Sequence, residues 1–414
     1  MWTENLLSGK RLVLGVSGGI SAYKSVALLR LLQKAGADVR VIMTKNAQAF
    51  VGRVTFEAIS GQPVFSEMFG ELPDPEIRHI SWAKDIDAVI IAPATASIIG
   101  KIANGIADDA LSTFMMAVTA PRLICPAMNT HMYENRAVQR NLDILEEDGF
   151  EILEPGQGEL ACKTTGPGRL ADPEMIVERV VGLLAVKDLA GKRLVVSAGP
   201  TRESIDPVRY ISNPSSGKMG YAIAWAAALR GGDVILVSGP SILPDPGGVK
   251  VRRVVTASEM ADAVIDESGT ADIVIKTAAV SDYRPVDVAA HKIKKGNDTI
   301  VMTLEKNMDI LAELGRRKRP GQILVGFAAE TRDLEKYATE KLVKKSLDMI
   351  AANIVGEVDS GFEADTNRLT LFFPDGQEKR LPMMNKFALA NIIIDHTIDM
   401  IARKSDKAGH QQDF

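Results

Sequence analysis

Two cysteines in 414 residues, Cys125 and Cys162, are too few for a disulfide framework, so each thiol is there for packing or for chemistry. No segment reaches the ~18 apolar residues needed to span a bilayer. The opening stretch, MWTENLLSGKRLVLG, lacks the basic stretch, apolar run and cleavage site of a secretory leader. The expectation is a cytoplasmic protein with no membrane partner. Charge of one sign is missing too: 49 Lys plus Arg stand against 53 Asp plus Glu, with no basic stripe for nucleic acid. A hydrophobic fraction of 46% with 25% charged residues fits a folded soluble chain handling small molecules. At this length the core must divide into two or three domains.

The chain starts twice. SGKRLVLGVSGGISAYKSVALLRLLQKAGADVRVIMT reads as a strand (Arg11 to Val16), a glycine turn, a helix (Ile20 to Lys34) and a strand (Val39 to Met43). From Gly191 the order repeats in AGKRLVVSAG and SSGKMGYAIAWAAALRGGDVILVSG, with a longer loop before the helix. Short apolar runs alternating with helical segments predict an α/β fold: two Rossmann-like parallel sheets, each covered by helices. Later strands are expected at Ala88 to Ala92 and Leu123 to Pro126, then at Ile273 to Thr277, Ile323 to Gly326, Met349 to Ala352 and Arg368 to Phe373. A helix from Pro173 to Val186 leads into a linker. The domains are therefore expected at 1–187 and 188–414, and ligands at the carboxyl ends of the strands.

One stretch, SNPSSGKMGYAIA from Ser212, resembles the phosphate loop of a nucleotide hydrolase but departs from it twice. Ser212 stands where the first glycine belongs, and Met219 replaces the hydroxyl that would hold magnesium. Small residues leading into a helix (Lys218 to Arg230) still favour an anion at its N-terminus, a phosphate or a carboxylate. In the first half, GVSGGIS lacks the G-x-G-x-x-G spacing of a dinucleotide fingerprint, although Ser17 and Ser21 are placed to donate to a phosphate. Taken alone, it is equally a glycine turn for chain reversal. Cys125, in the apolar RLICPA, reads as packing. A lone His79 reads as structural, but Cys162 stands in a polar glycine-rich loop where burial gives a thiol little reason.

Three motifs, Gly15-Val-Ser-Gly-Gly-Ile-Ser-Ala22, Ala92-Pro-Ala-Thr-Ala-Ser97 and Pro126-Ala-Met-Asn-x-x-Met132, occur in the order found in the FMN-dependent cysteine decarboxylases. His79 stands where that family has a histidine, and GQGELACKTTGPGRL supplies its flap cysteine, Cys162. The first half thus resembles a phosphopantothenoylcysteine decarboxylase, departing from it at Tyr133 and at Lys163-Thr164. The resemblance implies that Ser17, Gly18, Thr44, Thr95 and the loop near Ser112 hold FMN. It also implies that Asn129 fixes the substrate's carboxylate and amide and that His79 acts near the thiol. Cys162 would be the acid on a closing lid, protonating the product while excluding water.

In the second half, SAGPTRESIDPVRYISNPSSGKMG, KTAAVSDYRP, HKIKK, KNMDIL, VGFAAET and KLVKKSLDMIAAN follow the order of the phosphopantothenate–cysteine ligases. Together the halves resemble the bifunctional bacterial enzymes of coenzyme A synthesis. That resemblance implies joining 4'-phosphopantothenate to L-cysteine through an acyl-cytidylate made from CTP, then decarboxylation to 4'-phosphopantetheine. Lys292 would offset charge on the phosphates, with Lys294 and Lys295 nearby and Lys341 and Lys345 as further contacts. An isolated lysine run is otherwise a solvated face. Asp282 would meet the cytidine or its Mg2+, and Asn213 would bind the acyl phosphate. Lys276, Thr277, Ala278, Met308, Asp309, Ile310 and Leu311 would line the nucleotide pocket. Phe327, placed just after its strand, would stack on the base or else serve as one more core aromatic.

Two other readings stand beside this one. A flavin oxidoreductase using a nicotinamide nucleotide lacks its fingerprint, and a non-catalytic regulatory flavoprotein would need neither the Cys162 flap nor Lys292. The resemblance further implies a homo-oligomer, with trimers of the first domain and dimers of the second making a dodecamer.

Overall fold

The computed structural model describes residues 5–68, 78–159, 165–294, 299–330, 334–354 and 364–409. The chain folds as two units, Thr3–Ala185 and Val186–Phe414. Among the described residues no helix is long and apolar enough to cross a membrane.

The first unit begins with β1 (Arg11–Val16), α1 (Ala22–Lys34) and β2 (Asp38–Met43). Helix α1 starts two residues later than the sequence pattern suggests, because Gly19 to Ser21 are spent in a turn closed by the Ala22 amide on the Gly19 carbonyl. There follow α2 (Arg53–Ser60), α3 (Arg78–Lys84), β3 (Ala88–Ala94), α4 (Ala96–Ala103) and α5 (Ala110–Ala117). Then come β4 (Arg122–Pro126), α6 (Thr130–Tyr133), α7 (Arg136–Glu147) and β5 (Glu151–Ile152). A two-stranded ribbon, β6 (Gly156–Glu159) and β7 (Thr165–Arg169), leads into α8 (Pro173–Leu184), which opens on a proline where a missing N–H costs nothing. The five-stranded sheet is parallel in the order β2-β1-β3-β4-β5. All seven residues of β3 are buried, as expected of a strand covered on both faces. Helices α1 and α8 cover one face. The other carries Ile99, Leu111, Phe114 and Leu145 packed on Val13, Val89 and Ile91.

The second unit opens with β8 (Arg193–Ala198) and a short antiparallel hairpin, β9 (Arg202–Ser204) and β10 (Tyr210–Ser212). It continues with α9 (Lys218–Leu229), β11 (Asp233–Ser238), β12 (Val249–Arg253), α10 (Ala257–Ser268) and β13 (Ile273–Lys276). Thr256 and Glu259 start α10 by capping each other's backbone amides. A second hairpin, β14 (Tyr283–Pro285) and β15 (Leu304–Lys306), precedes α11 (Ile310–Arg317), β16 (Ile323–Glu330), α12 (Leu334–Lys344) and β17 (Met349–Ile354). The chain then forms β18 (Thr366–Asn367), β19 (Thr370–Phe372), β20 (Glu378–Arg380), β21 (Met384–Asn385) and α13 (Lys386–Gly409).

The large sheet runs β12-β11-β8-β13-β16-β17-β19-β20. Its first six strands are parallel, but β19 and β20 are antiparallel, so the expectation of an all-parallel sheet is corrected at this edge. Only a short connection separates β19 from β20, and the Phe373 amide closes their turn on the Gln377 carbonyl; a parallel crossover would need a dozen residues or more. Helices α9 and α13 pack together on one face, and α10, α11 and α12 cover the other.

Candidate active sites

Counted from its own first strand, the first sheet has the order 2-1-3-4-5, whose order reverses between β1 and β3, where a ligand crevice is expected outside the carboxyl ends. Ser17 and Thr95 directly follow those strands. The Ser17 hydroxyl donates to the Pro93 carbonyl at 2.8 Å and accepts from the Thr95 amide at 3.0 Å. A cavity of about 960 Å3 opens there, lined by Ser17, Gly18, Thr44, Thr95 and Asn129 among others. Five of the residues singled out from the sequence thus meet in one place. A Cβ on Gly18 would lie 2.4 Å from that of Asn46, so only glycine lets these two loops close over the crevice. Neither Ser21 at α1 nor Thr95 at α4 caps its helix with its side chain, leaving first-turn amides of two helices for an anion.

Lys24, Lys45, Lys101 and Asp109 also line the cavity and escaped sequence reading. Lys101 bridges Asp108 at 2.6 Å and Asp109 at 2.8 Å, and these hydrogen bonds raise its pKa. For Asp109 burial works upward, but Lys101 and the Ser112 amide outweigh it and hold the carboxyl below its ordinary value. The pair is therefore charged near neutral pH. Ser112 itself does not line the cavity. It is fully buried, and it exchanges caps with Asp109 at the start of α5, so the lining group is its partner.

Asn129 caps α6, its side-chain oxygen accepting from the His131 amide at 2.9 Å. Against this turn lies the β6–β7 ribbon. The Met128 amide donates to the Gly168 carbonyl at 2.9 Å, and Gly168, at φ +138°, leaves 2.2 Å between a hypothetical Cβ and the Met128 oxygen. Cys162, between β6 and β7 in sequence, lies outside the described residues, as do the His79 side chain, Lys295 and the last five residues. Cys125 is wholly buried, and burial pushes its thiol far above the usual range, which makes it packing. Tyr133 hydrogen-bonds Glu154, and burial together with that carboxylate raises the phenol.

The first six strands of the second sheet have the order 3-2-1-4-5-6 when counted from β8, with the switch between β8 and β13. The two ends are tied by the Thr277 hydroxyl on the Ser197 carbonyl at 2.5 Å. A cavity of about 350 Å3 lies here, bringing together Asn213, Lys276, Thr277, Ala278 and Phe327 with the Gly217–Lys218 start of α9. Phe327 lies within β16, not after it, because pairing with β17 carries the strand on to Glu330. Lys386, also lining the cavity, is 2% exposed, and burial and the nearby Lys218 charge lower its pKa to about 8. Lys218 pairs with Asp365 at 2.6 Å.

Asp282, Lys292, Lys294 and Met308 are exposed and do not line this cavity. Ile310 and Leu311 are core residues, leaving only their backbone for a ligand. Lys345 pairs with Asp309 at 2.8 Å, and Lys276 responds electrostatically to Lys345, Asp309, Asp282 and Lys341, so these groups form one neighbourhood. Beside it, the Ser281 hydroxyl and the Asn307 side-chain oxygen are buried without hydrogen-bond partners, as suits a place awaiting a polar ligand. Asp206, which sequence reading passed over, is a hub. Its carboxylate accepts from the amides of Val208 and Arg209 at 2.8 Å, from that of Ile293 at 3.1 Å and from the Arg209 guanidinium. The Arg209 hydrogen bonds hold it well below the carboxylate range. Through Ile293 it pins the segment that carries Lys292. Among the described residues no three His, Cys, Asp or Glu side chains converge as a metal cage.

Residues 3–185 match the Flavoprotein family and residues 189–400 the family described as DNA/pantothenate metabolism flavoprotein C-terminal domain. The chain is 48% identical to the coenzyme A biosynthesis bifunctional protein CoaBC of Bacillus subtilis, over 98% of this chain and 100% of that one. It is 46% identical to the protein of that name from Escherichia coli, over 96% and 99%. Among solved structures, the C-terminal domain of a CoaBC protein is 45% identical, with a TM-score of 0.46, covering 52% of this chain and 99% of that domain. A PPC decarboxylase mutant complexed with pantothenoylaminoethenethiol is 30% identical, with a TM-score of 0.37, covering 41% of this chain and 96% of that one.

Proposed function

The chain belongs to the bifunctional CoaBC family of coenzyme A biosynthesis, as a phosphopantothenoylcysteine decarboxylase joined to a phosphopantothenate–cysteine ligase, and we propose that the first works with FMN and the second with CTP and magnesium. The observation that carries the flavin half is the meeting of Ser17, Gly18, Thr44, Thr95 and Asn129 around one cavity. Its volume suits a mononucleotide, and the open first turns of α1 and α4 suit the phosphate. When bound, FMN supplies two-electron oxidation and its return. The chain's own part is to orient the carboxylate and amide through Asn129, to set His79 near the thiol, and to deliver a proton from Cys162, which lies between β6 and β7 in sequence.

For the ligase half, Asn213 and the start of α9 hold the phosphorylated acid, and Lys292, Lys341 and Lys345 face the triphosphate with Asp282. Magnesium arrives with the nucleotide, since one carboxylate plus phosphates suffices for it. The missing hydroxyl after Lys218 is then no defect, because this loop holds a substrate phosphate instead of a hydrolysed one. Exposed Val286, Val288, Val301 and Leu304 around the β14–β15 hairpin support dimers of the second unit. Ile20, Tyr23 and Met132, exposed at the first cavity, support flavin sites shared between subunits in trimers, and so the dodecamer.

Mass spectrometry of purified protein with 4'-phosphopantothenate, cysteine, magnesium and CTP, with ATP in a parallel tube, tests the whole. 4'-Phosphopantetheine with pyrophosphate is expected in the CTP tube. Accumulation of phosphopantothenoylcysteine overturns the flavin half, and equal turnover with ATP overturns the choice of nucleotide.

A further inference from the structure

Lys276 ends β13 at the switch point of the second sheet, and it lines the same cavity as Asn213. Its ammonium donates to a single carbonyl, that of Ala278 at 2.8 Å, and no carboxylate lies against it among the described residues. Lys276 is half-buried, and a lysine drawn out of water ordinarily carries an ion pair, because an unpaired charge there is costly. The nearest candidates are otherwise engaged or distant: Asp309, before α11, is taken by Lys345, and Asp282, in the turn after β13, acts only through its field. Burial, with the charges of Lys345, just beyond α12, and of Lys341 in α12 against those of Asp309 and Asp282, leaves the amine with a pKa of about 8. Asn213 donates to the carbonyls of Ala279 at 3.2 Å and Val280 at 3.3 Å. The Lys276 amine and the Asn213 amide therefore stand on successive carbonyls of one turn.

We propose that Lys276 is the proton acceptor for the amide-forming half of ligation, when the amine of cysteine displaces the nucleotide from the activated acyl group. The inference rests on the ligase reading above and adds a residue to it. The cysteine nitrogen bonds to the acyl carbon, and the bond from that carbon to the phosphate oxygen breaks. Cytidine monophosphate leaves with the electron pair, and the proton shed by the nitrogen passes to Lys276 Nζ, which returns it to solvent. A base that titrates at about 8 is poised close to the working pH, where general-base transfer is most effective.

The test uses the full chain and its variants Lys276→Gln and Lys276→Arg, with the melting transition of the second unit as the check on its folding. First, acyl-cytidylate formation from CTP is followed without cysteine. Then cysteine, or hydroxylamine, whose amine is largely unprotonated at neutral pH, is added. Both variants should form the intermediate within about threefold of the parent rate. Both should consume it with cysteine at least about 100-fold more slowly but lose less than tenfold with hydroxylamine. The parent rate with cysteine should rise with pH and flatten above about 8, while the variants keep rising. Equal loss of intermediate formation, or rescue by Lys276→Arg, assigns the residue to holding the triphosphate and overturns the proposal. If the parent makes no acyl-cytidylate, the ligase mechanism fails first and takes this step with it.

Discussion

Gly168→Ala is the substitution that most sharply separates the two activities. A Cβ there would stand 2.2 Å from the Met128 oxygen, where real contacts do not fall below 3.0 Å, so the ribbon or the Asn129 turn must retreat by about 0.8 Å. The φ of +138° adds strain of about 1–3 kcal/mol for a residue with a side chain, and loss of the Met128 amide bond adds about 1 kcal/mol. Together these set roughly 2–4 kcal/mol against the ribbon's seat on the Asn129 turn. Misplacement of about 1 Å costs catalysis on the order of 100-fold. Decarboxylation of supplied phosphopantothenoylcysteine should therefore fall about 100-fold, while ligation by the same protein stays within twofold and flavin absorbance persists. Decarboxylation within threefold of the parent would show that the close approach of Gly168 has no part in the chemistry.

Ser17→Ala removes the hydroxyl that joins the ends of β1 and β3 and should weaken FMN retention about tenfold, read by flavin fluorescence after dilution; unchanged retention would exclude Ser17 from the site. Asp206→Asn should release the segment bearing Lys292, raising KM for CTP at least tenfold with kcat for decarboxylation unchanged, and an unaltered KM would reject the clasp. Lys276→Met should stabilise the second unit at neutral pH. In the parent the amine titrates near 8 when folded and near 10.5 when unfolded, so its penalty is full below pH 8 and vanishes as pH rises past 10.5. Set against the lost Ala278 hydrogen bond, the gain is about 2 kcal/mol at pH 7, and the melting difference should close by pH 10.5. A constant difference across that range would mean that the charge is compensated.

The parallel strands were legible because each is built on a short apolar run that is buried, as in AVIIA and IVI. The loops at their carboxyl ends were legible as small-residue motifs, and both cavities formed there. The hairpins β9–β10 and β14–β15 were not, since strands of three residues such as Arg202–Ser204 and Leu304–Lys306 carry too few positions to show alternation. Phe327 was placed one element late because β16 continues through Ala328 and Ala329, residues with no β signature. Lys24, Lys101 and Lys386 escaped notice because they belong to helices whose pattern marks them as surface, and only the fold turns them inward. Asp206 had a local signal, an Asp three residues before Arg209 in DPVR that suits a side-chain-capped turn. Its reach to Ile293, 87 residues on, had none.

The antiparallel pair at the end of the second sheet has a consequence for how the protein survives at high concentration. Without β19 and β20 the sheet would stop at β17, whose MIAANI sequence is uncharged, apolar but for Asn353, and open to another strand. With them it stops at Glu378, Lys379 and Arg380, all exposed. A charged, three-residue border is a poor template for a neighbouring chain, so the hairpin acts as a selvedge that keeps newly made copies from weaving into aggregates. At this edge it leaves self-recognition to faces chosen for it.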